Sequence, residues 1–253
     1  MENEAGLKLL FWIGTIVMIF SALGVLLITI LYQKKVYKIR KKESDNLLKV
    51  SLESEKRERK RIASDLHDGV SGDLNAIRNY ITVLYQKEQD PSNKHVLEEV
   101  KPALDNMLIS IQNISYNLMP PLLDTQGLVP TLKDYFDRIK KWNTITINSR
   151  YYQKDIPVSS SDAYELYRII QELISNMLKH GNSSRIDFSI EKNEKILEIK
   201  IADDGIPFDL YKSLHDTSGM GLKNIISRAK YIGASLTQVP ADKGNIILIR
   251  LKK

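Results

Sequence analysis

Residues 61–77, "RIASDLHDGVSGDLNAI", set an imidazole beside a carboxylate, His67 then Asp68, with Gly69 and Gly72 close behind. A neutral imidazole is nucleophilic through one ring nitrogen, and its other N–H needs an acceptor that an adjacent carboxylate supplies. Apolar residues recur at helical spacing through Leu66, Val70, Leu74 and Ile77, so the pair sits on a helix. Each glycine costs a helix interior roughly 1 kcal/mol relative to alanine, which predicts a softened, bendable point next to His67.

Three more groups carry potential chemistry. In "YELYRIIQELISNMLKHG", Glu172, Asn176, Lys179 and His180 share one ridge of a helix, spread over an arc of roughly 100°. A carboxylate, an amide, an ammonium and an imidazole in that order can hold a hydrated Mg²⁺ ion and phosphate oxygens, because Mg²⁺ takes few protein oxygens and keeps its waters. An ordinary polar helix face is the alternative for this helix taken alone. In "IADDGIPFD", Asp203 ends a strand and Gly205 follows. The carboxylate can accept from an exocyclic amine and the glycine lets backbone approach a flat ring; a plain turn is the equal alternative. In "SGMGLKNIISRA", Gly219 and Gly221 precede a helix whose free N–H groups suit an anion, although many loop–helix junctions look the same.

The elements that must position these groups follow from periodicity. Leu48, Leu52, Glu55, Arg59, Ile62 and Leu66 step by four and three, a heptad seam that is charged in its middle. Asp90 and Pro91 read as cap and first turn of a second helix, with Leu97, Val100, Leu104, Met107, Ile111, Ile114 and Leu118 as its stripe; Pro102 should kink it near its start. Two such helices make a hairpin with little core of its own, which predicts a homodimer in which two hairpins form a four-helix bundle. After "MPPLLDTQGLVP" the pattern becomes mixed: a helix over 128–142, a strand in "TITINSRYY", a strongly apolar helix over 161–180, then strands in "SRIDFSIEK", "KILEIKIAD", "ASLTQVP" and "NIILIRLKK". An α+β two-layer sandwich, helices on one face of a sheet, is the economical architecture.

Charge and hydropathy set the surroundings. The net charge is +6, yet residues 33–63 alone hold 12 Lys/Arg against 5 Asp/Glu, and residues 64–253 are balanced at 24 of each. That excludes a surface-wide field for direct nucleic-acid binding. Residues 9–32, "LLFWIGTIVMIFSALGVLLITILY", are uncharged, and about 20 apolar residues suffice to cross a bilayer as a helix. The basic run "QKKVYKIRKK" behind them puts the C-terminal side in the cytoplasm and the N-terminus outside. A cleaved signal peptide fits less well, given two leading glutamates and the length of the apolar core. The chain has no cysteine, which excludes disulfides and thiolate metal sites.

The order of the motifs, E-x-x-x-N-x-x-K-H on a helix, D-x-G after a strand and G-x-G-L before a helix, resembles the ATP-binding domain of sensor histidine kinases, which belongs to the family shared with gyrase and Hsp90. "RERKRIASDLHDGV" and "NLMPPLLDTQGLVPTL" resemble the phosphoacceptor box and the second-helix junction of the subgroup paired with LuxR-type response regulators, and the resemblance covers roughly residues 55–253. Together with the hydropathy and charge above, it implies a multi-domain chain: an extracytoplasmic N-terminus and transmembrane helix (1–32), a basic linker (33–57), a dimerisation and phosphotransfer domain (58–121) and a catalytic domain (122–253). It implies ATP and Mg²⁺ as cofactors, His67 as phosphoacceptor and Asp68 as general base. Asn176 would bind the metal with Glu172 assisting, Lys179 and His180 would face the phosphates, Asp203 and Gly205 would meet adenine, and Gly219 and Gly221 would flank the phosphates under a lid at about 206–218. The implied partners are a second copy, a response regulator of LuxR/NarL type, the lipid of a bacterial inner membrane and, since few residues lie outside, a membrane sensor protein.

Two positions depart from the subgroup. Gly72 stands where a glutamine positions water for dephosphorylating the regulator, and Pro207 replaces the second glycine of D-x-G-x-G, stiffening the lid's first hinge. His95 and His215 match no motif and read as surface residues. Two other functions remain open at this level, a membrane-tethered scaffold with a weak nucleotide domain and a plain ATPase of the same fold.

Overall fold

The computed structural model of the chain describes residues 2–153, 156–210 and 220–252. It divides into two units, Met1–Ser51 and Leu52–Lys253. The described part of the first unit lies wholly in helix α1 (Glu2–Ser64), whose apolar segment is long and apolar enough to cross a membrane. The hydroxyls of Thr15 and Thr29 donate to the carbonyls of Trp12 and Val25, each at 2.8 Å, so neither is left unsatisfied in an apolar surrounding.

In the second unit α1 runs into a π-helical turn, Asp65–Val70, and continues as α2 (Ser71–Lys87). Helix α3 (Pro91–Leu118) returns alongside α2. Asp90 caps α3 by accepting from the Ser92 N–H at 2.8 Å, and the helix passes through Pro102 unbroken. The hairpin is tied at its tip by Tyr85 donating to Glu98, in its middle by Arg78 and Asp105 at 3.4 Å, and near His67 by the buried Ser115 hydroxyl donating to the Ala63 carbonyl at 3.0 Å. His95 lies exposed near Glu99, and His215 lies outside the described residues.

A short helix α4 (Leu122–Gln126) and α5 (Leu128–Trp142) lead into the mixed domain, with Gly127 between them at a φ of 80° that an L side chain rarely adopts. Strand β1 (Thr146–Tyr151) is followed by α6 (Ser160–Lys179), β2 (Arg185–Lys192), β3 (Ile196–Asp203), α7 (Met220–Tyr231), β4 (Ala234–Val239) and β5 (Asn245–Lys252). The sheet order is β1-β2-β3-β5-β4; β1 and β2 are parallel, joined by the α6 crossover, and all other pairs are antiparallel. The five strands and the helices over 128–142 and 161–180 expected from sequence all form.

Alternation explains the layers. Ile186, Phe188 and Ile190 of β2, Leu197, Ile199 and Ile201 of β3, and Ile247, Ile249 and Leu251 of β5 face one way and are buried against Leu166, Ile170, Leu173 and Ile174 of α6 and Phe136 of α5. Phe136 and Phe188 meet edge to face with centroids 4.9 Å apart. Each such side chain contributes about 1.5–3 kcal/mol on burial, so α6 is held rigidly and its polar ridge is fixed relative to the sheet ends.

Candidate functional site: a histidine–carboxylate turn and a polar helix ridge

His67 lies in the π-helical turn. The Ser71 N–H and its hydroxyl both bond the Leu66 carbonyl, five residues back, the hydroxyl at 3.1 Å. Such a turn inserts one extra residue and re-aims the side chains it carries. Neither Gly69 nor Gly72 has an atom within 4 Å of the place a Cβ would take, so what they contribute is backbone freedom and not clearance. His67 Nδ1 stands 2.9 Å from Asp68 Oδ1, and Asp68 Oδ2 accepts from the Ser64 hydroxyl at 2.9 Å. The His67 hydrogen bond, then that from Ser64, holds the Asp68 carboxyl below its ordinary range. An ionised carboxylate can only accept, so Nδ1 is the donor in this pair, and in the neutral ring the lone pair then falls on Nε2. The imidazole is 59% exposed and opens on a cleft of about 260 Å³ bordered by Lys60, Ser64, Ser115, Met119 and Pro121.

The ridge of α6 forms a second cluster. A Cβ on Gly221 would collide with Glu172 Oε1 and stand 3.6 Å from Asn176 Nδ2, so the start of α7 lies directly on that ridge. Among the described residues Glu172 has no ion pair or side-chain hydrogen bond, and the Asn176 amide likewise has none. A carboxylate and an amide whose oxygens are uncommitted among the described residues, adjoining a helix start, fit a metal that takes one or two protein oxygens and otherwise phosphate and water. Lys179 and His180 are exposed at the end of α6, where His180 N–H caps the helix on the Asn176 carbonyl at 2.9 Å. Gly219 lies outside the described residues.

Next to the ridge, the chain after α6 crosses the end of β3. The Ile206 N–H donates to the Gly181 carbonyl at 2.7 Å, and a Cβ on Gly205 would collide with that carbonyl and the Ser183 hydroxyl. Only glycine permits this crossing, a more specific reason for Gly205 than approach to a ring. Asp203 is 7% exposed; its Oδ1 accepts from the Gly205 N–H (2.7 Å) and the Ser183 hydroxyl (3.0 Å). Asp204 turns outward and accepts from Ser184 Oγ, the Arg185 N–H and the Ser184 N–H, which hold its carboxyl down at about 2.

The structure therefore gathers Glu172, Asn176 and Gly221 into one cluster, and Asp203 with Gly205 into another beside the α6 terminus. It also pairs His67 with Asp68. Among the described residues none of the nucleotide-site candidates lines the cleft at His67. Sequence reasoning missed Ser183, Gln238 and Asn245, all bonded around Asp203 or the segment after it, and Arg228 of α7. Arg228 donates to Glu165 of α6 at 2.6 Å and to Glu55 of α1 at 2.5 Å. One signal was present for Asn245: it is a polar residue in register with the inward-facing Ile247, Ile249 and Leu251.

A five-stranded mixed sheet covered on one face by α5, α6 and α7, with the polar ridge at one end, defines an ATPase domain of a known class. Residues 161–253 match the family described as "Histidine kinase-, DNA gyrase B-, and HSP90-like ATPase" (HATPase_c). Residues 58–123 match HisKA_3, described as "Histidine kinase". The chain thus carries the two domains of sensor histidine kinases. Over 208 residues it is 30% identical to an "Uncharacterized sensor-like histidine kinase" of Chloroflexus aurantiacus, an overlap of 78% of this chain and 35% of that protein. The chain thus spans about a third of that relative's length. It is similar to the histidine kinase domain of the Erythrobacter litoralis EL346 blue-light activated histidine kinase (14% identity, 71% of this chain and 94% of that one, TM-score 0.46). It is also similar to the Acinetobacter baumannii histidine kinase AdeS (15% identity, 71% of this chain and 94% of that one, TM-score 0.41).

Proposed function

We propose that the chain is an ATP-dependent protein-histidine kinase that phosphorylates His67 and passes the phosphoryl group to an aspartate of a LuxR/NarL-type response regulator. The observation that carries this is the 2.9 Å pairing of His67 Nδ1 with a depressed-pKa Asp68 on an exposed turn. Nε2 attacks the γ-phosphorus; an N–P bond forms as the bond from that phosphorus to the bridging oxygen breaks, and ADP leaves with the electron pair. The phosphorylated ring sheds its Nδ1 proton to Asp68, which keeps positive charge from building on the imidazole. At the nucleotide, Asp203 accepts from the adenine amine, Lys179 and His180 face the phosphates, and the α7 start with Gly221 receives them. Asn176 and Glu172 would hold Mg²⁺, which when bound neutralises charge on the β- and γ-phosphate oxygens.

The same reading takes 1–32 as a single-pass anchor in the bacterial inner membrane, 33–57 as a basic linker, 58–121 as the dimerising phosphotransfer domain and 122–253 as the catalytic domain. One preparation tests it. Inverted membrane vesicles holding the full chain, given γ-labelled ATP and Mg²⁺, should take up label that pellets with the membrane, survives alkali, is lost in acid and maps to the His67 peptide. It should then move to an added response regulator. No label on the chain overturns the kinase in favour of a scaffold or a plain ATPase, and label in the supernatant overturns the anchor.

Gly72 extends the reading to the reverse reaction, because with no side chain it can position no water against a phosphorylated regulator. A side chain there would enter open space. Gly72→Gln should therefore leave labelling of His67 within about twofold while adding regulator dephosphorylation that the natural chain lacks; Gln is also the better helix former by a little under 1 kcal/mol. Rapid dephosphorylation by the natural chain, read by loss of label from purified regulator, would refute this.

A further inference from the structure

Strands β3 and β5 place Asp203 directly opposite Asn245. Asn245 is 2% exposed on a face otherwise filled by isoleucine and leucine, where an unpartnered amide is costly. Its partners are specific. Nδ2 donates to Asp203 Oδ2 at 3.2 Å and to the Ile206 carbonyl at 3.0 Å, and Oδ1 accepts from the Phe208 N–H at 2.9 Å. From β4, Gln238 continues the series: Nε2 donates to the Phe208 carbonyl at 2.5 Å and Oε1 accepts from the Leu210 N–H at 2.8 Å. Residues 206, 208 and 210, every second one, are thus held to the sheet as a strand would be, but by two side-chain amides.

We propose that Asn245 is the positioning residue that sets the orientation of the Asp203 carboxylate, and that with Gln238 it fixes the backbone leaving the nucleotide site as far as Leu210. This rests on Asp203 reading the base amine, as argued above. Oδ1 of Asp203 is already committed to Gly205 and Ser183, so Oδ2 is the atom with capacity left for a ligand donor. Among the described residues only the Asn245 amide holds Oδ2 on the protein side. Without it the carboxylate is held through Oδ1 alone and can tilt on those two bonds, so the outward lone pair of Oδ2 loses its direction. A 6-amino purine offers a donor to that lone pair, whereas a 6-oxo purine sets a carbonyl against it. Asn245 therefore supports selection of ATP over ITP without touching the base.

Asn245→Val and Asn245→Thr separate positioning from packing, because the two side chains share a shape that suits a strand and differ by one hydroxyl donor. With the full chain in vesicles and γ-labelled ATP or ITP, Asn245→Val should raise the KM for ATP about tenfold and compress the ATP-to-ITP preference equally, the size of one directed hydrogen bond. The loss should fall on KM more than on kcat. Asn245→Thr, whose hydroxyl can still donate to Asp203, should recover most of the preference. Wild-type preference in Asn245→Val, or equal loss in the two variants, overturns the proposal. If Asn245→Val does not fold, as read from its melting without nucleotide, Asn245→Ala against Asn245→Ser makes the same comparison. Asp203→Asn is the control for the underlying reading: should it keep the ATP preference, base recognition by Asp203 fails, whatever Asn245 does.

Discussion

Asp68→Asn should fold normally and lose phosphorylation of His67 by roughly 10²- to 10⁴-fold, the usual contribution of a positioned general base. The substitution is close to isosteric. An amide oxygen can still accept from His67 Nδ1 and its NH₂ can still meet the Ser64 hydroxyl, so the ring keeps its orientation. What disappears is the negative charge and the capacity to take the proton as the N–P bond forms. Nucleotide affinity should not change, because none of the described nucleotide-site residues borders the cleft where Asp68 stands. Labelling rates at saturating ATP, with nucleotide affinity measured separately, check both halves. A loss below tenfold would mean that Asp68 only orients the ring.

The pH dependence follows with a definite sign. The Asp68 carboxyl is held below its ordinary value, first by the hydrogen bond from His67 and then by that from Ser64. A depressed carboxyl stays ionised above its ordinary value of about 3.9 and loses its charge only below that. Base function is therefore complete throughout the neutral range, and an acid limb in the labelling rate near neutrality cannot come from Asp68. The Asp68→Asn variant should keep any such limb unchanged while its overall rate falls.

How much of this was legible depends on whether a contact is local. Glu172 and Asn176 were found because a helix of fixed pitch puts positions four apart on one ridge, and the five strands because alternation sorts residues to two faces. The π-helical turn was half visible: Gly69 and Gly72 announced a softened helix, but nothing in their spacing says that the hydrogen bonds move to five residues. Gly205 was read as access for a flat ring, and the nearer reason is the crossing of the 181–183 segment, which only the tertiary fold creates. Asn245 carried a signal, a polar residue at an inward position of an apolar strand, yet its partner Asp203 is 42 residues away. Glu55 and Arg59 stood out as charges in a heptad seam. Arg59 pairs with Glu55 one turn away at 2.7 Å, but the explanation of Glu55 is a cation from α7, 173 residues away, which no periodicity encodes.

That cation sets the largest stability effect. Arg228 is 5% exposed and bridges Glu165, whose side chain is 3% exposed, and the half-buried Glu55. Burial works against the Arg228 charge, but the hydrogen bond and charge of Glu165, with Glu55 behind them, hold the guanidinium above its ordinary value. Burial likewise pushes the Glu165 carboxyl up, opposed by Arg228. Arg228→Ala leaves Glu165 buried without its hydrogen-bonded cation, with Glu55 nearby and only the weaker Coulomb effect of Lys56 to offset it, and breaking a buried pair in this way costs about 3–5 kcal/mol. The melting temperature of the domain should fall by roughly 10 °C. The loss should shrink with acid. A carboxyl stranded in the fold has a raised pKa, so its penalty is absent below the unfolded value of about 4.3 and grows as pH rises above it. The gap between the natural chain and Arg228→Ala should therefore be wider at pH 8 than at pH 5. Adding Glu165→Leu to Arg228→Ala removes the stranded charge and should restore part of the loss, whereas Glu55→Ala alone, at a partly exposed position, should cost about 1 kcal/mol or less. Melting curves of the natural chain and the three variants decide it: if Arg228→Ala melts with the natural chain, or if the second substitution deepens the loss at pH 8, the bridge is not what holds α1, α6 and α7 together.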